Sequence, residues 1–208
     1  MRSDSMSTER PGHLMSRMCP VDWGEFTVDV AAPQDASAFL RLRDEAAGWL
    51  SSRGIDQWRP GDFAPSWLDT LIAEKRVFLL RHGEELAATV TVLWDDPFVW
   101  GEQEVEAGYI HNLIVARSFA GQGLGRRLLQ WAEDHVAVSG RSLARLDCVV
   151  SNGELRHLYE SAGYHWVRDG EFLAEFGLRP TALYEKTLRA SHRHTAVPWS
   201  PEHLDDDH

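Results

Sequence analysis

Along the segment EFTVDVAA (25–32), Phe26, Val28 and Val30 alternate with polar partners, a period of two that predicts a half-buried strand. Pro33 and Asp35 open the next stretch, where Phe39, Leu42, Ala46, Trp49 and Leu50 recur at spacings of three and four. That spacing predicts a helix stopped by Gly54. An aromatic-rich loop, IDQWRPGDFAPSW, leads to a second helix over about 65–75, begun by Pro65 and Ser66. In RVFLLRHGEELAATVTVLW, two apolar runs parted by HGEE predict a hairpin. DDPFVWGEQEVE reads as a connection with a short acidic strand piece. GYIHNLIV (108–115) reads as a further strand. Beyond a glycine-rich loop, Leu124, Leu128, Ala132 and Val136 step by four, an amphipathic helix ending near Ser139–Gly140. LARLDCVV (143–150) has strand length and apolar character. Ser151–Asn152 caps a helix, NGELRHLYESAG, closed by Gly163. YHWVRD and ALYEKTL are the last strands.

The order β-α-α-β-β-β-α-β-α-β-β places the chain in the α/β (α+β) class, with a mixed sheet covered by helices on both faces. One domain is expected at 22–189. The tails at 1–21 and 190–208 lack either period and are expected to be loosely ordered, the second being acidic. At 208 residues, 43% hydrophobic and 25% charged, the composition fits one globular domain. A net charge of −11 argues against a nucleic-acid footprint, which needs clustered lysine and arginine, and is compatible with a cationic substrate. Cys19 and Cys148 make neither a disulfide framework nor a metal-spaced cluster, so no metal is expected, and Cys148 reads as a small core residue. No apolar run approaches the roughly 18 residues of a membrane span, and the first residues lack the apolar stretch of a signal peptide. The expected location is the cytoplasm.

FAGQGLGR (119–126) follows the strand ending in YIHNLIV. Where a helix starts directly after a strand, its first N–H groups and the positive end of its dipole face outward. Gly121, Gly123 and Gly125 would let that backbone approach a phosphate closely, although a plain turn would use glycines too. The spacing is neither the dinucleotide fingerprint nor the P-loop. YIHNLIVARSFAGQGLGRRLLQWAEDHV resembles the acyl-CoA-binding motif of the GNAT superfamily of N-acyltransferases, with its Arg/Gln-x-x-Gly-x-Gly/Ala signature. LDCVVSNGELRHLYESAGY resembles the second half of the same family: strand, Asn, a helix bearing Leu-Tyr-Glu, then Gly-aromatic. The two matches span 108–164. Ala120 stands where the signature normally has Arg or Gln, which leaves the donor open.

The resemblance implies a mostly antiparallel GNAT-like sheet with a parallel-strand splay at the cofactor site. It implies acetyl-CoA as the donor and a primary amine of a small molecule as the acceptor, joined by direct attack in a ternary complex. Backbone N–H groups of Leu113, Ile114 and Val115 would hold the pantetheine. Ala120, Gly121, Gln122, Gly123, Leu124, Gly125 and Arg126 would hold the diphosphate. Asn152 would hydrogen-bond the pantetheine arm, and it is equally natural as a helix N-cap. Tyr159 would protonate the thiolate, while its spacing with Leu155 and Ala162 also suits a core ring. For the base, His111 has a suitable ordinary pKa near about 6.5 but equally suits a structural role. Glu102, Glu104 and Glu106 are the alternative bases, or an exposed acidic edge.

Acceptor specificity is expected outside the matched segments. Trp58, Trp94, Trp100 and Glu106 would contribute to an aromatic, acid-rimmed pocket for an amine, unless these rings fill the core. A homodimer is an open expectation. The readings that compete with small-molecule acetylation are acylation of a protein amine, a donor such as an acyl carrier or aminoacyl-tRNA, and a non-catalytic CoA sensor.

Overall fold

Val77 and Leu79 point to one side of their strand and Phe78 and Leu80 to the other, and all four are buried. A strand apolar on both faces must be covered twice. The computed structural model, which describes residues 23–170 and 179–189, provides that cover. The expected tails and Cys19 fall outside the described residues. Among the described residues, seven strands run β1 (Phe26–Val30), β2 (Val77–His82), β3 (Glu85–Leu93), β4 (Ala107–Val115), β5 (Leu143–Val149), β6 (His165–Asp169) and β7 (Thr181–Thr187). They form a single sheet in the order β1-β2-β3-β4-β5-β7-β6. Every neighbouring pair is antiparallel except β4 and β5. The mixed sheet with helices on both faces is therefore present.

On one face, α1 (Ala36–Ser52) and α2 (Pro65–Ala73) bury Phe39, Leu68, Leu71 and Ile72 against Val77 and Leu79. On the other, α4 (Leu124–Val138) buries Leu124, Leu128, Leu129, Ala132 and Val136 against β3, β4 and β5. Each such leucine removed from water contributes about 1.5–3 kcal/mol before conformational entropy is charged against it. Close packing of α4 on β4 depends on Gly108, where a Cβ would lie 2.3 Å from Cγ2 of Val136. Helix α5 (Gly153–Ser161) follows β5 and turns Tyr159 into the same core.

The segment DDPFVWGEQEVE differs from expectation. It contains a one-turn helix, α3 (Pro97–Trp100), and no strand piece. Pro97 at the first helical position and the Asp96 carboxylate, which accepts from the Val99 N–H at 3.3 Å, make that turn locally favourable.

Candidate active site

Strands β4 and β5 pair in parallel only from Ala107–Leu143 to Ile110–Leu146, although both continue beyond. Asn112 produces the divergence. Its φ of 47° is left-handed, and the register with β3 shifts there, a bulge that bends β4 away. Asn112 is held in that geometry by Thr89, whose hydroxyl donates to its carbonyl at 2.8 Å, and by its own amide donating to Thr91 at 3.3 Å. Beyond the last pair, the β5-facing edge of Leu113, Ile114 and Val115 has no strand partner among the described residues.

At the open end of the split lies the glycine turn. The Ala120 N–H donates to Arg117 at 3.2 Å, and the next backbone amide with a backbone partner is Arg127, donating to Gly123 at 3.2 Å. Between them run six amides, Gly121 to Arg126, free of backbone acceptors among the described residues. Gly121 (φ 79°) and Gly123 (φ 72°) are left-handed, so glycine is required there for conformation. A Cβ on either would meet nothing within 4 Å, which leaves open space in front of the turn. These features fit a diphosphate. The Arg126 side chain does not aim at it, since its guanidinium donates to Ser161 at 3.0 Å through both NH groups. Leu124 sends its side chain into the core. Ala120 offers no cation. Arg117, three residues earlier, has no anionic partner among the described residues, stacks 4.2 Å over the Trp49 ring, and borders the adjoining cavity.

Two adjoining cavities occupy the split. The first, about 300 Å³, runs between α1 and α5 and is bordered by Leu113, Ile114, Val115, Arg117 and Asn152. Asn152 is the N-cap of α5, its carbonyl accepting from Leu155 N–H at 3.1 Å, while its amide donates to Gln57 at 3.0 Å. The second cavity, about 490 Å³, shares Gln57, Trp58, Leu113 and Leu155 with the first and is bordered also by His111, Asp147, Cys148 and Tyr159. His111 and Tyr159, far apart in sequence, thus meet in one chamber.

His111 and Asp147 are the first residues past the final parallel pair on their strands. Their Nδ1 and Oδ1 atoms are 3.5 Å apart, and His111 Nε2 lies 3.1 Å from Asp96 Oδ2. The second contact has ion-pair distance without hydrogen-bond alignment, so both atoms lack a hydrogen-bond partner. Burial pulls the His111 pKa down, but the two carboxylates outweigh it and leave it raised. Burial likewise raises Asp147. Tyr159 is raised by burial and by the nearby Cys148 and Asp147, and so keeps its proton at neutral pH. Burial pushes the Cys148 thiol up to about 12, in keeping with a core residue.

Of the residues expected to form the acceptor pocket, only Trp58 reaches these cavities. Trp94 packs against His135 of α4, and Trp100 is buried against Tyr109 and Arg145. Glu106 is exposed, 3.9 Å from Arg141. Trp94 and Glu106, with Glu102 and Glu104, border a third cavity of about 340 Å³ at the other end of β4. The third cavity is rimmed by acids, and the chamber beside Trp58 is of mixed charge. The chamber beside Trp58 carries Arg43, Arg59 and Arg179 alongside Asp62 and Asp147. Arg43 is ion-paired to Asp62 and sits over the rings of Trp58 and Phe63. Periodicity assigns rings to loops but not to an end of the sheet. Asp96 and Asp147 were missed, although a carboxylate inside the apolar run LDCVV was a usable signal. Among the described residues, no three His, Cys, Asp or Glu side chains are grouped to hold a metal ion, and no helix is long and apolar enough to cross a membrane.

Comparison with known proteins gives one consistent answer. The model of the acetyltransferase (GNAT) family matches residues 38–164. The uncharacterised N-acetyltransferase YesJ of Bacillus subtilis (strain 168) is 37% identical over 145 residues, 66% of this chain and 80% of YesJ. Among solved structures, a GNAT-family acetyltransferase from Listeria monocytogenes 4b F2365 superposes with a TM-score of 0.65 at 26% identity, covering 78% of this chain and 95% of the other. YncA of Salmonella typhimurium, solved with its cofactor acetyl-CoA, has the same fold, with a TM-score of 0.59 at 15% identity over 79% of this chain and 94% of its own.

Proposed function

The chain belongs to the GNAT family of acetyltransferases, and on that premise we propose that it transfers an acetyl group from acetyl-CoA to a primary amine of a small, polar molecule. The observation that carries this reading is the shared chamber. His111 and Tyr159 border one cavity of about 490 Å³, beside the unpaired edge of β4. A cavity of that size suits a small ligand, and its arginines and aspartates suit a polar one.

Acetyl-CoA supplies the thioester whose carbon–sulfur bond breaks as the amine nitrogen bonds to the carbonyl carbon. The amides of Gly121 to Arg126 hold the diphosphate and those of Leu113 and Val115 the pantetheine, the Ile114 amide facing β3 instead, with Arg117 supplying the cation that Ala120 lacks. Asn152 already spends its carbonyl on the helix cap, so its amide reaches the pantetheine arm by exchanging its bond to Gln57. His111 takes the proton that the acceptor must shed to become nucleophilic. Tyr159, kept protonated, gives its hydroxyl proton to the departing sulfur.

Thermal-shift measurement with acetyl-CoA, followed by thiol release over a panel of primary amines, tests the reading. A rise in melting temperature and amine-dependent thiol release are expected. Stabilisation without release by any amine would reduce the protein to a CoA binder, and no stabilisation would remove the donor.

A further inference from the structure

Asp96 fits none of the steps above, yet it is buried to 9% exposure and its side chain is held on two sides. One carboxylate oxygen caps α3 through Val99, and the other faces His111 Nε2 at 3.1 Å. His111 borders the acceptor chamber, whereas Asp96 borders the third cavity with Glu102, Glu104 and Glu106. The imidazole and this carboxylate therefore span the partition between two cavities that share no lining residue. Both facing atoms are buried and without a hydrogen-bond partner. Such a pair costs stability, and its presence calls for a functional explanation.

Resting on the acyltransfer reading, we propose that Asp96 is the proton outlet of His111: the proton taken from the amine leaves through Asp96 into the acidic cavity on the far side. The ammonium N–H bond breaks and Nδ1–H forms. Nε2–H then breaks as Oδ2–H forms on Asp96, and water in the acidic cavity takes that proton. The ring, left protonated on Nδ1 alone, then turns over about its side-chain bonds, so that this N–H faces Asp96 and the bare nitrogen faces the chamber again, with no proton returned to the chamber. The acceptor chamber thus sheds its proton without opening. The ionisable groups facing His111 are Asp96 from the loop before α3 and Asp147 from β5. Cys148 and Tyr159 stand beside Asp147, and the Arg43–Asp62 pair lies in the same chamber wall. Asp96 acts through His111 and is a positioning and relay residue.

The first test is ¹⁵N NMR titration of the His111 ring in the full-length chain, without ligand, for the wild type and Asp96→Asn. Asparagine still caps α3, so the fold should persist. The His111 titration point is expected to fall in the variant, and an unchanged point overturns the proposal. The second test uses the amine in the panel that is turned over fastest. In Asp96→Asn the plateau kcat is expected to fall about tenfold or more, with the acidic limb of kcat/KM displaced to lower pH. Asp96→Ser, which keeps a capping oxygen and makes room, should recover turnover in sodium formate. Wild-type turnover with Asp96→Asn unaffected, or formate without effect on a slowed Asp96→Ser, rejects the outlet alone. No wild-type turnover of any amine rejects the acyltransfer reading beneath it.

Discussion

Replacing Gly123 by alanine separates conformational strain from ligand binding. Gly123 is the N-cap of α4 with φ 72° and ψ 8°, a left-handed conformation. An L-residue there costs about 1–2 kcal/mol. The added Cβ meets nothing within 4 Å, so no clash enlarges that figure. For a domain of this size, each kcal/mol lowers the melting temperature by about 2–4 °C, giving a fall of about 2–8 °C. Relaxing the strain rotates the neighbouring amides out of the turn. Loss of one hydrogen bond to a charged phosphate, about 1.5–3 kcal/mol, then weakens CoA binding about ten- to hundredfold. Gly140→Ala is the control. Its φ of 87° is left-handed too, its Cβ is equally unobstructed, and it lies beyond the opposite end of α4. Scanning fluorimetry on the free proteins should show similar losses for both variants. Calorimetric titration with CoA should show weakened affinity for Gly123→Ala alone. Equal CoA affinity in the two variants would refute the assignment of the turn as the diphosphate cradle.

Tyr159→Phe is expected to lower kcat about a hundredfold while leaving the KM for acetyl-CoA unchanged; an unaltered kcat would show that the leaving sulfur takes its proton elsewhere. The raised pKa of His111 places the acidic limb of kcat/KM above that of an ordinary imidazole, because only the neutral ring accepts a proton, and His111→Asn should remove the limb. The linked stability runs the other way: the gain from the charged ring is complete below about pH 6.5 and fades as pH rises through the raised value, which a pH series of melting temperatures can follow. Gly108→Ala would put a Cβ 2.3 Å from Val136 Cγ2 and should cost about 1–3 kcal/mol in urea unfolding, partly recovered by adding Val136→Ala.

Much of this architecture was legible from periodicity, because the sheet is buried on both faces and its helices are amphipathic. The runs around Val77–His82 and Glu85–Leu93 announce their hairpin, and the steps from Leu124 to Val136 announce α4. The glycine turn was legible because left-handed backbone at Gly121 and Gly123 tolerates little else. Less of the chamber could be read. Asp96, His111 and Asp147 come from three separate elements and meet only through the β4–β5 register and the bulge at Asn112, whose left-handed φ no spacing rule anticipates. Aromatic loops suggest either a pocket or core filling for Trp94 and Trp100, and the linear sequence does not choose: Trp94 packs against His135 and borders the third cavity, while Trp100 is buried against Tyr109 and Arg145. The resemblance implies a diphosphate contact at Arg126; its amide belongs to the free run, whereas its side chain is taken by Ser161 at the end of α5, which offers two acceptors that the linear sequence does not reveal.

The most direct measurement is a backbone amide NMR titration of the full-length protein with CoA. The amides of Gly121 to Arg126 should move furthest downfield, joined by those of Leu113 and Val115 along the open edge of β4. Saturating CoA that leaves these resonances in place, while shifting amides elsewhere, would contradict the assignment of this split as the donor site.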